Sequence, residues 1–333
     1  MPRLYIEEYQ RTLAGKTVFI ACREGILRDH FQHIISDIKF LNRQGIRTTL
    51  FHNMPNRFAN QQHFRTLTAR LPDTRIIRVN SEVDFYDYVL DLKENASKLI
   101  FLERKYLLDS ENHRINTLST LTARQTIEAC EVLIANINFK TVLQRICQKI
   151  DAGDYDRVHI LPAGKCVIKH ELFTIEGSGT LIANNFTETF SQVKTEEDAG
   201  IVYGILNIYK PEGFLKPRSR EYVIEHRENF YVTRMDGIVV CCIEKKVIDS
   251  ETVELGAVAI STKFRNQRVG VFTIEAFVSE MARQGYRRFI SLTNNPKLEK
   301  LYIKMGFEQK CPPRYRSRQI KSPGVKVFYK RIS

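Results

Sequence analysis

The stretch AISTKFRNQRVGVFTIEAFVSE, Ala259 to Glu280, decides how the second half of the chain is read. A short apolar run breaks into a basic turn, FRNQRVG, and the chain then resumes with apolar residues at Ile274, Phe277/Val278 and Met281. That spacing is helical. The turn brings Arg265, Arg268 and Gly270 to the point where the helix begins. A helix N-terminus carries free N–H groups and the positive end of the dipole, so it accepts anions, and a glycine there lets the backbone approach a pyrophosphate closely. The same residues also suit an ordinary strand–loop–helix connection with solvated basic side chains, so the surroundings must decide.

The chain has 333 residues, enough for two domains. A hydrophobic content of 43% without a long apolar run predicts a globular chain with no transmembrane helix. The N-terminus MPRLYIEEYQRT lacks the apolar core of a secretory signal, and seven cysteines without a CxxC pair fit a reducing cytoplasm. No Cys, His and carboxylate spacing suits zinc, so no metal is expected. The net charge of +13 admits a nucleic-acid partner. Yet Lys and Arg are spread along the chain, and the one dense run is RYRSRQIKSPGVKVFYKR near the end. Basic excess equally suits an enzyme with polyanionic substrates.

Strand and helix signals alternate in the first half. GKTVFIAC, RTTLFHN, RIIRVN, KLIFLE and RVHILP read as strands. Helices are expected at about 31–44, over DFYDYVLDLKEN, near 124–134 and 139–150, and over KCVIKHELFT, with a hairpin around DSENHR. Alternation of this kind implies an α/β fold with a parallel sheet covered on both faces. A break near residue 187 separates a first domain, 1–187, from a second, 188–333. The second begins with the strand FSQVKT and a helix from about Glu196 to Tyr209. Antiparallel strands follow in YVTRMDGIVVCCIEKK and TVELGAVAIS. After the opening stretch come the strand RRFISLT, the helix NPKLEKLYIKMGF and a last strand, VKVFYKRI.

This order resembles the GNAT acetyltransferase family over roughly residues 190–333. The resemblance implies a mixed-sheet domain that binds acetyl-CoA, with the basic turn cradling the pyrophosphate. Its usual pattern is Arg/Gln-x-x-Gly-x-Gly/Ala; here Arg268 replaces the first glycine. Ala259, Ile260, Arg265, Gln267, Arg268, Val269, Gly270 and Val271 are the implied cofactor residues, and Asn295 is expected to position the pantetheine arm. Asn295-Pro296 also suits an N-cap with proline at the first helical position. By the same resemblance Tyr302 protonates the leaving thiolate and Glu254 is the general base that frees the attacking amine. Period two would place Gly256 and Val258 on the side of Glu254. Backbone amides near Ala257 to Ala259 would stabilise the thioester carbonyl. Cys241 and Cys242 read as core rather than nucleophiles.

Over the whole chain a narrower similarity holds, to the bacterial N-acetylglutamate synthases, which join an amino-acid-kinase-like domain to an acetyltransferase domain. It is carried by GKTVFIACREGILRDHFQHIISDIKFLNRQGIR, by VHILPAGKCVIKHELFTIEGSGTLI and by PRSREYVIEH. The similarity implies N-acetylation of L-glutamate at the start of arginine synthesis, by direct transfer in a ternary complex. Arg218 and Arg220 would hold the substrate carboxylate, joined by Arg318, Lys321 or Lys326 from the last hairpin. A homo-oligomer is expected. An arginine effector site would involve His170, Glu171, Gly177, Gly179 and Thr180, residues that equally suit a helix and glycine turn used for packing. The first domain is shorter than in that family, and CREG, Cys22 to Gly25, replaces its glycine pair, so neither an ATP site nor kinase activity is expected. Tyr302 stands where such synthases often lack tyrosine, which keeps acetylation of another amine open. A regulatory or nucleic-acid-associated protein that retains the fold for binding is the reading from another class.

Overall fold

The computed structural model describes residues 4–94, 96–109, 111–128, 137–264, 268–313, 316 and 324–332. The chain divides into two units, Met1–Phe186 and Thr187–Ser333.

In the first unit the strands are β1 (Thr17–Cys22), β2 (Arg47–His52), β3 (Thr74–Arg78), β4 (Lys98–Glu103), β5 (Thr117–Ser119), β6 (Val158–Pro162) and β7 (Thr180–Ala183). The helices are α1 (Ile6–Leu13), α2 (Glu24–Arg43), α3 (Asn56–Ala59), α4 (Gln62–Thr68), α5 (Phe85–Leu90), α6 (Thr120–Glu128), α7 (Ile137–Asp151) and α8 (Val167–Phe173). The sheet order is β3-β2-β1-β4-β6-β7-β5, parallel except between β6 and β7. Its central strands are buried on both faces, which is why TVFIAC and KLIFLE read as continuous apolar runs rather than alternations. Ile34, Ile35, Ile38 and Leu41 form the buried stripe of α2, and Gly45 at φ 74 ends it. That helix begins at Glu24, earlier than its periodicity suggests, because a non-helical residue, His30, joins two helical segments. The expected helix at 124–134 lies outside the described residues from 129 onward.

In the second unit the order is β8 (Glu188–Gln192), α9 (Glu196–Ile208), α10 (Arg220–Glu225), β9 (Phe230–Met235), β10 (Ile238–Asp249), β11 (Thr252–Ile260), α11 (Val269–Arg283), β12 (Arg288–Thr293), α12 (Pro296–Lys304), β13 (Glu308–Gln309) and β14 (Lys326–Arg331). The sheet order is β13-β14-β12-β11-β10-β9-β8. Neighbours are antiparallel except β11 and β12, which run parallel. One face carries a core of Val253, Leu255, Val258, Ile274, Phe277, Met281, Phe289, Tyr302 and Phe328. Side chains of α11 and α12 thereby cover that face.

Two features shape this sheet. Strand β11 pairs with β12 only from Thr252–Arg288 to Leu255–Ser291, yet it continues to Ile260 while β12 continues to Thr293. The two strands therefore part beyond Leu255 and Ser291. Second, the β10–β11 register shifts between Cys242 and Glu244, and Ala257 adopts φ 45, the left-handed region. An extra residue on β11 makes this a bulge. The bulge corrects one expectation: Gly256 shares the side of Glu254, but Val258 does not, because the inserted residue reverses the alternation and sends Val258 into the core with Leu255.

Candidate active site

The parting of β11 and β12 leaves main-chain groups of Gly256–Ile260 without a partner from β12. At the far end of β11 the chain turns into α11. Arg268 stands at the N-cap of that helix with φ 58, and it makes no side-chain cap. The left-handed conformation costs a side-chain-bearing residue about 1–2 kcal/mol, so Arg268 is held there at some strain that a glycine would avoid. Gly270 is needed for a different reason. A Cβ on it would sit 3.0 Å from Ile260 Cδ1 and 3.2 Å from Leu301 Cδ2, so the glycine lets the helix start pack against the strand end and α12. Among the described residues no group accepts from the amides of Val269, Gly270 and Val271, while Phe272 N already bonds the Arg268 carbonyl. Arg265 and Gln267 lie outside the described residues.

Tyr302 sits at the vertex where the strands part. It is 1% exposed, and its hydroxyl lies 2.8 Å from Ser291 Oγ, which in turn lies 3.1 Å from the Leu255 carbonyl. One serine proton can serve only one of these oxygens. When it goes to the carbonyl, the phenol proton can go to Ser291. Burial pushes the phenol well above its usual range, only partly opposed by the Ser291 hydrogen bond.

Glu254 lies one residue away on the other face, 6% exposed, with Lys246 Nζ 3.7 Å from its Oε1. Tyr302 and Glu254 thus flank the same point of the sheet from opposite sides. Lys246 also lies 3.4 Å from Glu244 Oε2. Glu244 is 1% exposed, accepting from Arg218 Nη2 at 2.8 Å and from the Tyr222 hydroxyl at 2.8 Å. Burial works against the Glu244 carboxylate, but the Arg218 hydrogen bond and the neighbouring cations together hold its pKa below the usual range.

The remaining sequence-derived residues divide. Arg218 is engaged by Glu244 within the protein, and Arg220 is exposed at the first position of α10. Lys326 pairs with Glu299 of α12 at 2.7 Å. Asn295 caps α12, its Oδ1 accepting from Lys297 N. Arg318 and Lys321 lie outside the described residues. Ala259 pairs with Cys242, and the Ile260 carbonyl accepts from Tyr209. Cys241 and Cys242 are fully buried, and burial pushes the Cys241 thiol up to about 12, so a thiolate nucleophile is disfavoured.

Sequence reasoning missed Glu244, Lys246, Tyr222 and Ser291. Ser291 had a signal, a hydroxyl inside the apolar run FISL. Glu244 had a weaker one, a carboxylate directly after CCI.

In the first unit Glu171 is buried, with Oε1 2.8 Å from His159 Nδ1 and Oε2 accepting from the amides of Ser178 and Gly179. Gly177 has φ 63. A Cβ on Gly179 would come within 2.3 Å of the Ile160 carbonyl. Thr180 bonds the Ile115 carbonyl, and the His170 carbonyl accepts from Thr174. Each of these groups has a packing role of its own.

Among the described residues no three His, Cys, Asp or Glu side chains gather to hold a metal, and no helix is long and apolar enough to cross a membrane.

Residues 201–307 match the acetyltransferase (GNAT) family, so the second unit carries a domain of that family. The amino-acid acetyltransferase of Pseudomonas fluorescens (strain SBW25) is 24% identical over 280 residues, which cover 83% of this chain and 61% of that protein. That of Pseudomonas syringae pv. syringae is 23% identical over 282 residues, covering 84% and 61%. The chain spans about three-fifths of the length of these curated relatives. N-acetylglutamate synthase from Neisseria gonorrhoeae, solved with coenzyme A and L-arginine, shares the fold at 16% identity. Its TM-score is 0.51, with 98% of each chain covered.

Proposed function

We propose that the chain transfers the acetyl group of acetyl-CoA to the amine of an amino acid, with L-glutamate the first acceptor to test. The observation that carries this reading is the parting of β11 and β12 beside Glu254 and Tyr302, with the start of α11, whose first amides no described residue accepts from, beyond the end of the same strand. The first-turn amides of α11 and the Arg268 guanidinium would hold the pyrophosphate, together with Arg265 and Gln267. The main chain of Ala259 and Ile260, which takes no partner from β12, and the side chain of Asn295 would line the pantetheine arm.

Acetyl-CoA supplies an activated acyl group. The residues supply the proton management. An ammonium cannot attack a carbonyl, so the Glu254 carboxylate takes its proton and frees the nitrogen lone pair. The C–N bond forms as the C–S bond breaks, and the sulfur leaves with its electron pair. Tyr302, its hydroxyl 2.8 Å from Ser291 Oγ, gives that sulfur a proton. No residue is acylated in this route. Arg218, Arg220, Arg318 and Lys326 are the candidates for the acceptor carboxylate. Arginine regulation through the segment around Glu171, a homo-oligomeric state and a cytoplasmic location belong to the same reading.

The test is a panel of amino acids with acetyl-CoA, scored by release of free thiol. Thiol release that depends on one amino acid supports the reading, and glutamate is expected to give the highest kcat/KM. Release that no amino acid stimulates contradicts it. The rival that keeps the fold for nucleic-acid binding is addressed by a salt titration, since phosphate-driven association falls steeply with salt.

A further inference from the structure

We infer that Glu244 is a positioning residue of the acceptor site, fixing Arg218 as a carboxylate grip and linking that grip through Lys246 to Glu254; this rests on the reading of the second unit as an amino-acid acetyltransferase. The four side chains form a row of alternating charge across β10, β11 and the segment that leads into α10. Arg218 Nη2 gives a hydrogen bond of 2.8 Å to Glu244 Oε2, Lys246 Nζ lies 3.4 Å from the same oxygen, and it lies 3.7 Å from Glu254 Oε1. The row therefore has a guanidinium at one end and the proposed base at the other. An amino acid offers the complementary groups, a carboxylate for the guanidinium and an ammonium for the base.

Three details favour a positioning role over simple stabilisation. A buried ion pair is often no more stabilising than apolar side chains of the same volume, so its presence calls for another reason. Glu244 is held from both sides, its Oε1 taking the Tyr222 hydroxyl of α10 while Oε2 takes Arg218, which locks the carboxylate plane. Arg218 in turn gives Nη1 to the Lys216 carbonyl, and its side chain stays 12% exposed, while its fork has more donors than these two partners use. Opposite Glu244 in register stands Gly256, where a Cβ would lie 3.1 Å from Lys246 Cε and 3.3 Å from Glu244 Oε2. The strand is kept bare where the row passes.

The experiment is steady-state kinetics of the full chain, acetyl-CoA and the best acceptor of the panel. Glu244→Gln keeps shape and removes charge. It is expected to raise the acceptor KM roughly tenfold or more, the scale of a hydrogen bond to a charged group, with kcat falling much less and the acetyl-CoA KM unchanged. Tyr222→Phe is expected to shift the acceptor KM several-fold in the same direction, and it carries the test if Glu244→Gln does not fold. In an Arg218→Ala background, Glu244→Gln is expected to add nothing to the acceptor KM, because its effect runs through Arg218. A wild type active on an amino acid whose acceptor KM stays within twofold in both single variants overturns this inference and leaves the functional reading standing. A wild type that no amino acid stimulates overturns both.

Discussion

The chain twice places a strand, a basic residue, a glycine and a helix in succession, and it finishes the two turns differently. After β1 the turn is Arg23-Glu24-Gly25; before α11 it is Arg268-Val269-Gly270. In the first unit the protein's own groups fill the turn. Arg23 lies extended at φ −70 and pairs with Glu103, which also accepts from Tyr86; Asn53 Oδ1 accepts from Glu24 N; and Glu24 puts a carboxylate on the first turn of α2. In the second unit Arg268 is left-handed, the first turn of α11 has no acidic residue, and β11 has parted from β12 nearby. Neither glycine needs a positive φ. Gly25 avoids Arg104 Nη2, at 3.0 Å from a Cβ there, and Gly270 avoids Ile260 and Leu301. A glycine at a strand–helix turn thus does not by itself make an anion site. Amides without acceptors do, and among the described residues the second turn has a run of them, Val269 to Val271.

The largest expected effect concerns the open region. Glu254→Gln and Tyr302→Phe should each lower kcat by about 10²–10⁴-fold, the usual contribution of a positioned acid or base, with acetyl-CoA affinity little changed. The deficit of Glu254→Gln should shrink at high pH, where the amine is already free. Because burial raises the Tyr302 pKa, its proton-donating form persists above the ordinary phenol range near 10. The wild-type profile should therefore show no descending limb from this group below about pH 10. Full activity in both variants would contradict the assigned roles while leaving the fold untouched.

A smaller effect is expected where the turn is closed. Glu103→Ala strips the carboxylate from Arg23 and Tyr86 and should cost the first unit about 2 kcal/mol, below the usual cost of breaking a buried pair because Arg23 is partly exposed. Urea unfolding followed by hydrogen exchange in β1 and β4 reads this, and acetyl-CoA affinity should not change. Loss of acetyl-CoA binding without loss of stability would show that the two turns had been assigned the wrong way round.

The smallest effect is that of Arg268→Gly. It relieves the left-handed strain, part of which returns as chain entropy, so stability should rise by only about 0.5–1 kcal/mol. Acetyl-CoA KM should rise a few-fold as the cation is lost. A lower melting temperature would mean that Arg268 makes a contact worth more than its strain.

Most of the architecture was legible because its elements carry strong periodic or continuous apolar signals. The exceptions share one cause. Strand β7, TLIA, is a four-residue apolar run that looks the same as a helix fragment, and only its pairing with β6 and β5 makes it a strand. Helix α10 spans six residues, too few for periodicity. At the site, positions set by the local chain were readable: the N-cap Asn295, the start of α11, Glu254 on its strand. Partnerships were not. The capture of Arg218 by Glu244 joins residues 26 apart across two elements, and the bulge at Ala257 moved Val258 to the opposite face, which no alternation rule could anticipate.

The most direct test of the central claim is a calorimetric titration of the full chain with acetyl-CoA and, separately, with ATP. One saturable site for acetyl-CoA is predicted, weakened in Arg268→Gly and unchanged in Glu103→Ala, with no saturable heat from ATP at the same concentrations. Micromolar ATP binding that persists in the presence of saturating acetyl-CoA, or no acetyl-CoA binding at all, would contradict the division into one filled turn and one open turn.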